Sequence, residues 1–479
     1  MDHRGAAEAL GARLLPEDAE GGFSSVSIDS RETAEGGLFV ALRGSRTDGH
    51  RYLSRAFEAG AAAALVTERG MEEAGFDRER ARESGAVLIL VEDTLKGLQD
   101  LAAAYLDRFP RLLRVGITGS AGKTTTKEIA AAMVGGEKKT VVNPGNLNSE
   151  TGLPLAVFNV REEHEVGIFE AGMNRKGEIG ELAAVLRPQI ALITNIGSAH
   201  IGVLGSREAI AGEKKDLFSR FTGGETALIP EDDPFRDYLA RDVKGKVVFY
   251  GQKSLEALGK LTALRGRGLE GTEIVWEGIP AGLGLPGQHN VRNALAAASL
   301  AGEAGISGRA IRKGLAGARG LFGRGEVLRG RTTVIRDCYN ASPESAAQVL
   351  AFCDALDWPG RRVYVMGSML ELGDREAEAH RKIGELLAES RAELIFLYGP
   401  EMRSAAAVLE EKGARPGGAF FHAGTMEELS AALAEKIQEG DLVLLKGSRG
   451  RALERLTGVV MMDSGLADPV VSGGEADVS

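Results

Sequence analysis

The stretch LRVGITGSAGKTTTKEIAAAMV, residues 113–134, decides the fold. Its first seven residues are mostly apolar and predict a buried strand, whereas residues 123–134 have the composition of a helix. Small residues lie between the two elements, and such a turn lets backbone N–H groups wrap around a phosphate. The N-terminus of the following helix adds positive potential. This order of strand, glycine turn and helix predicts a nucleotide triphosphate site on a parallel α/β sheet.

The glycine turn departs from the common phosphate-loop pattern at one position. The pattern G-x-x-x-x-G-K-[ST] would place a glycine where this chain has Ile117. The chain instead fits G-x-x-G-x-x-G-K-T, in which Lys123 can reach the terminal phosphates and the Thr124 hydroxyl can bind magnesium. The residues expected to bind the triphosphate are Gly119, Ser120, Ala121, Gly122, Lys123, Thr124 and Thr125.

The composition limits the classes of partner. The chain has 479 residues, with 58 lysines and arginines against 68 aspartates and glutamates, which gives a net charge of −10. Proteins that bind nucleic acid or anionic membranes are normally basic, so we expect neither partner. No uncharged apolar run of about 18 residues occurs, so no membrane span is expected.

Cysteine usage indicates the compartment. Cys338 and Cys353 cannot build a disulfide framework or a C-x-x-C metal pair, which favours a reducing, cytoplasmic location. Near the N-terminus, Glu8 and Arg13 interrupt the apolar stretch, and a signal peptide is therefore not expected.

Alternating strand and helix patterns organise the rest of the chain as an α/β protein of three domains. Residues 1–91 predict a small N-terminal mixed α/β domain. Residues 92–320 predict a central parallel-sheet domain around the phosphate loop, with strands such as EVGIFEAG and QIALITNIG. Residues 321–462 predict a C-terminal Rossmann-like α/β domain. Residues 463–479 lack periodicity and are expected to be disordered.

Three further residues could bind a metal, and each has an ordinary alternative. Glu170 ends the strand GIFE, where side chains line the ligand crevice of an open parallel sheet, but it could also be an exposed carboxylate. His200 lies in a loop, where a single histidine is more often a surface residue than a ligand. Lys214 lies in a charged helical stretch beside Lys215, and composition does not distinguish the two.

Taken together, these segments resemble the ATP-dependent Mur ligase family, which builds the peptide stem of bacterial cell-wall precursors. The resemblance covers nearly the whole chain apart from the tail, and it includes the segment NPGNLNSETG, residues 143–152. The variant phosphate loop is expected in this family. Folylpolyglutamate synthetases and cyanophycin synthetases share its central domain.

The resemblance implies a metal site in the central domain. It implies that Thr124, Glu170 and His200 bind two magnesium ions. The family pattern I-A-x-x-K-x-x-L-F places a carbamylated lysine at Lys214 rather than Lys215. Carbamylation turns an ammonium into an anionic oxygen ligand, which suits a hard cation. The implied catalytic residues are Lys123, His200 and Lys214.

The resemblance also implies substrate contacts. In HNVRNAL, Asn290 and Asn293 are expected on the adenine side, and Arg324 and Asp337 are expected to close over the nucleotide. The segment DSR followed by GLFVALRGSRTDGH resembles the uridine-nucleotide-binding domain of the third and fourth ligases of the pathway. The residues implied to bind the nucleotide-sugar peptide are Ser30, Arg31, Asp48, His50, Asn146 and Asn148.

The C-terminal domain favours the fourth ligase over the third. DCYNASPES and MLELG are similar to that enzyme, and the D-N-P-R motif of many third-step ligases is absent from the sequence. Two departures are Ser368, where aspartate is usual, and Leu321-Phe322, where a proline-containing turn is common. The resemblance implies ATP and magnesium as cofactors, UDP-N-acetylmuramoyl-tripeptide and D-alanyl-D-alanine as substrates, and a monomeric state.

We expect a reaction that joins a carboxylate to an amine through an acyl phosphate made from ATP. One alternative is a sister ligase that adds the third amino acid, or a folylpolyglutamate-like ligase, although the uridine-type domain argues against the folate enzyme. A P-loop kinase or transport NTPase is a second alternative. A non-catalytic nucleotide-binding regulator is a third, but lysine, threonine, glutamate and histidine all stand in the positions expected of the enzyme.

Overall fold

The structure is a computed structural model that describes residues 1–83, 85–414, 417 and 419–462. The tail expected to be disordered, residues 463–479, lies outside the described residues. The α/β class with parallel sheets is confirmed, since the described strands form four sheets and three of these are wholly or mostly parallel. Among the described helices, none has the length and apolar character needed to cross a bilayer.

The elements of the N-terminal part are α1 (His3–Leu10), β1 (Arg13–Leu15), β2 (Val26–Ser27), β3 (Leu38–Val40), α2 (Leu53–Glu58), β4 (Ala63–Val66), α3 (Glu68–Glu73), α4 (Arg78–Glu83), β5 (Leu88–Leu90) and α5 (Thr94–Asp107). The sheet has the order β1-β5-β4-β3-β2, with β1 antiparallel. Helix α5 connects two cores, because Leu98 and Leu101 join the N-terminal core whereas Ala102 and Leu106 join the next one. The domain boundary between residues 91 and 92 stays a prediction.

The elements of the central part are β6 (Leu113–Thr118), α6 (Lys123–Val134), β7 (Thr140–Val142), α7 (Gly152–Val157), β8 (Val166–Glu170), α8 (Glu178–Leu186), β9 (Ile190–Ile193), α9 (Ile201–Leu204), α10 (Arg207–Lys215), β10 (Thr226–Pro230), α11 (Arg236–Ala240), β11 (Lys246–Tyr250), α12 (Gln252–Ala257), β12 (Leu261–Gly266), β13 (Thr272–Trp276), β14 (Ile279–Leu283), α13 (Gln288–Glu303) and α14 (Gly308–Gly317). Six parallel strands have the order β11-β10-β9-β6-β8-β7. Strands β7 and β8 lie on one side of β6, and the next strand, β9, lies on its other side. The strand order therefore reverses at β6. Ligands of open parallel sheets bind at such a position.

An antiparallel sheet of β12, β13 and β14 follows the parallel one. The sequence prediction of a parallel central domain did not include it. Glycines such as Gly266, Gly271 and Gly278 interrupt the apolar alternation that would have marked these strands. The sheet packs on the same core as α6, because Ile274 and Trp276 cluster with residues of that helix.

The elements of the C-terminal part are β15 (Glu326–Arg329), β16 (Thr333–Asp337), α15 (Pro343–Ala355), β17 (Arg362–Gly367), α16 (Glu376–Glu389), β18 (Leu394–Tyr398), α17 (Arg403–Glu411), β19 (Phe420–Ala423), α18 (Met426–Lys436), β20 (Leu442–Lys446) and α19 (Thr457–Val460). The sheet order is β15-β16-β20-β17-β18-β19, and only β15 is antiparallel. This part packs against the central part, because Leu372 and Ala341 belong to the same buried cluster as Ile196 and Ile201.

Candidate functional site

The predicted phosphate loop follows β6, the strand at which the sheet order reverses. Gly119 and Gly122 have φ of 151° and 79°. A Cβ on Gly119 would lie 1.8 Å from Thr194 Oγ1, and one on Gly122 would lie 2.2 Å from Asn293 Oδ1, so only glycine fits at either position. Helix α6 begins at Lys123 without a side-chain cap. Since the first N–H groups of a helix have no partner within the helix, this end can receive an anion.

Residues that follow β9 make hydrogen bonds to the phosphate loop. Thr194 Oγ1 and Asn195 Nδ2 both donate to the Ala121 carbonyl, at 2.6 and 2.9 Å, and Asn195 Oδ1 accepts the Ala121 N–H at 3.1 Å. The Ser120 hydroxyl accepts the N–H of Gly197 at 2.8 Å. Sequence analysis missed Thr194 and Asn195, although both follow a strand of the parallel sheet and the strand-end rule could have found them.

Lys123 points back into the loop, where its Nζ donates to the Gly119 carbonyl at 2.9 Å. Burial lowers the pKa of Lys123; the charge of Arg324 acts in the same direction, while Glu170 and Glu371 oppose it. Arg324 comes from the C-terminal part, so the structure brings this predicted nucleotide residue close to the phosphate loop. Its guanidinium carbon lies 3.9 Å from the centre of the Tyr339 ring.

Two of the predicted metal ligands are brought together at the end of β8. Glu170 is buried, and its Oε2 accepts a hydrogen bond from Thr124 Oγ1 at 2.7 Å. Its Oε1 accepts from Asn148 Nδ2 at 2.6 Å, so a residue predicted to bind substrate touches the carboxylate. The buried Asn143, which sequence analysis missed, accepts the Glu170 N–H at 2.9 Å and donates to the Glu170 carbonyl at 3.0 Å. These bonds fix the direction of the carboxylate.

The other two predicted metal ligands have separate partners. His200 has φ of 64°, and its Nδ1 lies 3.0 Å from Glu371 Oε2 in the C-terminal part. The hydrogen bond with His200 lowers the pKa of Glu371. Lys214 is buried with its Nζ 3.9 Å from Met173 Sδ. Burial, aided by the charge of Lys123, lowers the pKa of Lys214 well below its usual value.

The residues fit ATP more completely than they fit magnesium. The glycine cradle, the uncapped helix and the half-buried lysine suit phosphate oxygens. Thr124 and Glu170 offer the hard oxygen ligands that magnesium prefers, whereas His200 and unmodified Lys214 offer nitrogen. Within the described residues, no group of three or more histidine, cysteine, aspartate and glutamate side chains is arranged to hold a metal ion.

The predicted adenine-side residues lie in the first turn and a half of α13, which packs on α6. Asn293 Nδ2 donates to Asn290 Oδ1 at 3.4 Å. Asp337 ends β16 and pairs with Lys446 Nζ at 3.0 Å. Burial lowers the pKa of His289, which also senses the opposing charges of Asp337 and Lys446. The start of α13 therefore faces Asp337 of the C-terminal part, which is predicted to close over the nucleotide.

The predicted residues of the N-terminal part bond to one another. Exposed Arg31 donates to Asp29 through Nε at 2.9 Å and through Nη2 at 2.5 Å. His50 is buried, and its Nε2 accepts the Thr67 N–H at 3.0 Å. The proton of the ring therefore lies on Nδ1, which donates to Asp48 Oδ1 at 2.6 Å. Both nitrogens of His50 are thus engaged within the fold.

A pocket adjoins Asp48 on the surface of the N-terminal part. Its lining includes Arg43, Arg46, Thr47 and Arg51, none of which sequence analysis selected. The three arginines of RGSRTDGHR could have indicated an anion site there. Of the remaining predicted residues, Ser30 is buried in the N-terminal part and Asn146 is exposed in the loop before α7.

Three family descriptions match successive parts of the chain. Residues 22–106 match the Mur ligase family catalytic domain, residues 117–301 match the Mur ligase middle domain, and residues 323–449 match the Mur ligase glutamate ligase domain. Together they span all three parts of the structure.

Relatives cover nearly the full chain. The UDP-N-acetylmuramoyl-tripeptide–D-alanyl-D-alanine ligase of Treponema pallidum is 43% identical over 453 residues, which is 94% of this chain and 96% of that protein. A crystal structure of MurF from Acinetobacter baumannii is 28% identical, covers 96% of this chain and 98% of its own, and has a TM-score of 0.83. The MurF ligase of Thermotoga maritima, solved in complex with ADP, is 27% identical, covers 92% and 97%, and has a TM-score of 0.74.

Proposed function

The chain belongs to the Mur ligase family, and we propose that it joins D-alanyl-D-alanine to UDP-N-acetylmuramoyl-tripeptide with consumption of ATP. The observation that carries the proposal is the glycine cradle at the uncapped start of α6, where the charge of Arg324 from the C-terminal part acts on Lys123. The choice of substrates is supported by the names of relatives that cover almost the whole chain.

In the first step, an oxygen of the tripeptide carboxylate attacks the terminal phosphorus of ATP. The bond to the bridging oxygen breaks, ADP leaves, and an acyl phosphate forms. The two reactants are both anions, so their approach must be made favourable by local positive charge. Lys123 and Arg324 supply that charge from two different parts of the chain.

In the second step, the amine of D-alanyl-D-alanine attacks the acyl carbon. A tetrahedral intermediate forms, the nitrogen loses a proton, and inorganic phosphate leaves as the amide is made. Water competes with the amine for the acyl phosphate, so the site must be closed during this step. The packing of Ala341 and Leu372 against the central part provides a way to exclude water.

We propose that magnesium is held by Thr124 and Glu170, with His200 and carbamylated Lys214 as further ligands. When bound, the ion neutralises charge on the phosphates. The buried position and lowered pKa of Lys214 support carbamylation, because only the neutral amine adds carbon dioxide. Lys215 is only partly buried, and its Nζ donates to the carbonyls of Tyr238 and Arg241.

We propose that the pocket with Arg43, Arg46 and Arg51 binds the diphosphate of the nucleotide sugar. Arginines suit phosphate oxygens, and Arg43 would exchange its present pairs with Asp48 and Glu73, which also line the pocket, for the ligand. Ser30 and Arg31 remain proposed contacts for the same ligand. We also propose that the enzyme acts as a monomer in the cytoplasm, where ATP is supplied.

The test measures phosphate release by the purified protein with UDP-N-acetylmuramoyl-tripeptide, ATP and magnesium, with and without D-alanyl-D-alanine. The proposal predicts rapid release and amide formation only when all components are present. Single amino acids, glutamate among them, are tested as alternative amine substrates. Preference for one of them would favour a sister ligase or a folate-type ligase, and ATP turnover that ignores both carboxylate and amine would favour a P-loop NTPase of another kind.

A further inference from the structure

The loop of residues 197–200, which follows β9, lies between the phosphate loop and the C-terminal part. On the central side, the Gly197 N–H donates to the Ser120 hydroxyl at 2.8 Å. On the other side, the carboxylate of Glu344 accepts from the Ser198 N–H at 3.0 Å and from the Ser198 hydroxyl at 2.8 Å. A continuous set of hydrogen bonds therefore runs from Glu344 through two adjacent residues to the phosphate loop.

Glu344 is held in a fixed direction. It lies in the first turn of α15, which begins with Pro343 and is capped by Ser342 and Ser345 in a reciprocal capping box. Such a cap restrains the start of a helix. The carboxylate thus reaches Ser198 from a rigid element, although the side chain itself is exposed.

A second contact fixes the other end of the same loop. The Gly202 N–H donates to the Glu371 carbonyl at 3.3 Å, next to the ion pair of Glu371 with His200. A Cβ on Gly202 would lie 2.7 Å from the Gly373 nitrogen, so the two backbones are in direct contact. The loop is consequently clamped at both ends when the C-terminal part is docked.

We propose that Glu344 is a positioning residue for the ligase reaction: its two bonds to Ser198 hold the C-terminal part docked on the loop that contacts the phosphate loop. The inference rests on the proposed function. Among the described residues, Glu344 bonds to Ser198, and it acts on the cradle through Ser198 and Gly197. Hydrogen bonds to a carboxylate are stronger than neutral ones, and both of these form only across the two parts of the chain.

The first test compares Glu344→Ala with Glu344→Gln and Glu378→Ala. Glu378 is a matched control, since it is exposed in the first turn of α16 and, in the described part of the chain, accepts no hydrogen bond from the central part. Glu344→Ala should lower kcat about tenfold with little change in the KM for ATP. It should also raise the ratio of phosphate released to amide formed above unity, because a loosened site admits water. Glu344→Gln should keep most of the rate, because its amide oxygen can accept from the Ser198 N–H while its NH2 group donates to the Ser198 hydroxyl.

The second test is a double-mutant cycle with Ser198→Ala. If the two residues act through one contact, the double variant should be no slower than the slower single variant. The inference would be overturned if the losses in kcat of the two single variants were fully additive. It would also be overturned if Glu344→Ala had the same kcat and the same ratio of phosphate to amide as Glu378→Ala.

A third measurement separates this inference from the proposed function. Hydrogen exchange of the Ser198 amide should be faster in Glu344→Ala than in the wild type and unchanged in Glu378→Ala. This readout needs no turnover, so it stands even if the wild type fails to form the amide. Equal exchange in all three proteins would contradict the proposed contact whatever the reaction is.

Discussion

The phosphate loop and the His50 cluster differ in whether their polar groups already have partners. The His50 cluster consists of Asp48, His50 and Thr67. At the phosphate loop, the helix that starts at Lys123 has no side-chain cap, so its first N–H groups are available for a ligand. In the His50 cluster, both ring nitrogens are used by neighbours. The comparison teaches that a polar residue in a family motif can serve either the ligand or the fold, and its hydrogen bonds separate the two roles.

The largest expected effect is at the phosphate loop. Lys123→Ala should lower turnover by about 10³-fold or more, because it removes a desolvated positive charge from the transferring phosphoryl group. The melting temperature should stay close to that of the wild type, since the hydrogen bond that Lys123 Nζ donates among the described residues is to the Gly119 carbonyl within the same loop. Steady-state kinetics and thermal unfolding measure the two quantities.

Lys253→Ala is the control for that substitution, because Lys253 is an exposed lysine on another helix of the central part. It should leave the rate unchanged. A Lys123→Ala variant that folds and retains the wild-type rate would remove the distinction between the phosphate loop and an ordinary turn.

The next effect is at Lys214. Lys214→Ala should lower kcat about 100-fold, and short carboxylates such as acetate should restore part of the rate by placing an anionic oxygen in the vacated space. The neighbouring Lys215 donates to the carbonyls of Tyr238 and Arg241 and does not lie in the proposed metal site. Lys215→Ala should therefore retain most of the activity. Rates with and without acetate measure both. An undiminished rate for Lys214→Ala would take this lysine out of the site.

The His50 cluster should respond in stability. His50→Ala leaves the Thr67 N–H without its acceptor and removes one of several hydrogen bonds to the Asp48 carboxylate, which Arg43 still donates to. It should lower the free energy of unfolding by about 2 kcal/mol. The KM for UDP-N-acetylmuramoyl-tripeptide should change little. Denaturant unfolding and kinetics are measured together. A large rise in that KM at full stability would show that His50 serves the ligand, and the comparison would fail.

The smallest expected effect on stability is at Arg31. Its bonds to Asp29 are exposed, and exposed ion pairs contribute little to stability. Arg31→Ala should therefore leave unfolding nearly unchanged, so any rise in the KM for the nucleotide sugar can be read as lost binding. If neither quantity moves, Arg31 has no part in the site.

Local patterns predicted the elements around the phosphate loop well. Strand β6 and helix α6 form where the sequence indicated them, since the switch from apolar strand to small turn to helix lies within about twenty residues. Glu170 could be selected for the same reason, because the end of a parallel strand lies at a known edge of the sheet. The pairing of Thr124 with Glu170 follows from the parallel register of β6 and β8.

Contacts between distant segments could not be predicted in this way. Glu344 and Ser198 are 146 residues apart, and no local pattern indicates that they meet. The pairing of His200 with Glu371 depends on how the C-terminal part docks on the central one. Lys214 and Lys215 are equivalent in composition, and only the packing of α10 buries the first and leaves the second partly exposed.

The most direct test of the central claim is a crystal structure with magnesium and a non-hydrolysable ATP analogue. We expect the β- and γ-phosphates to lie against the N–H groups at the start of α6. We also expect Lys123 Nζ to turn from the Gly119 carbonyl to a phosphate oxygen. An analogue bound away from this turn, or a bound analogue with Lys123 still on Gly119, would contradict it.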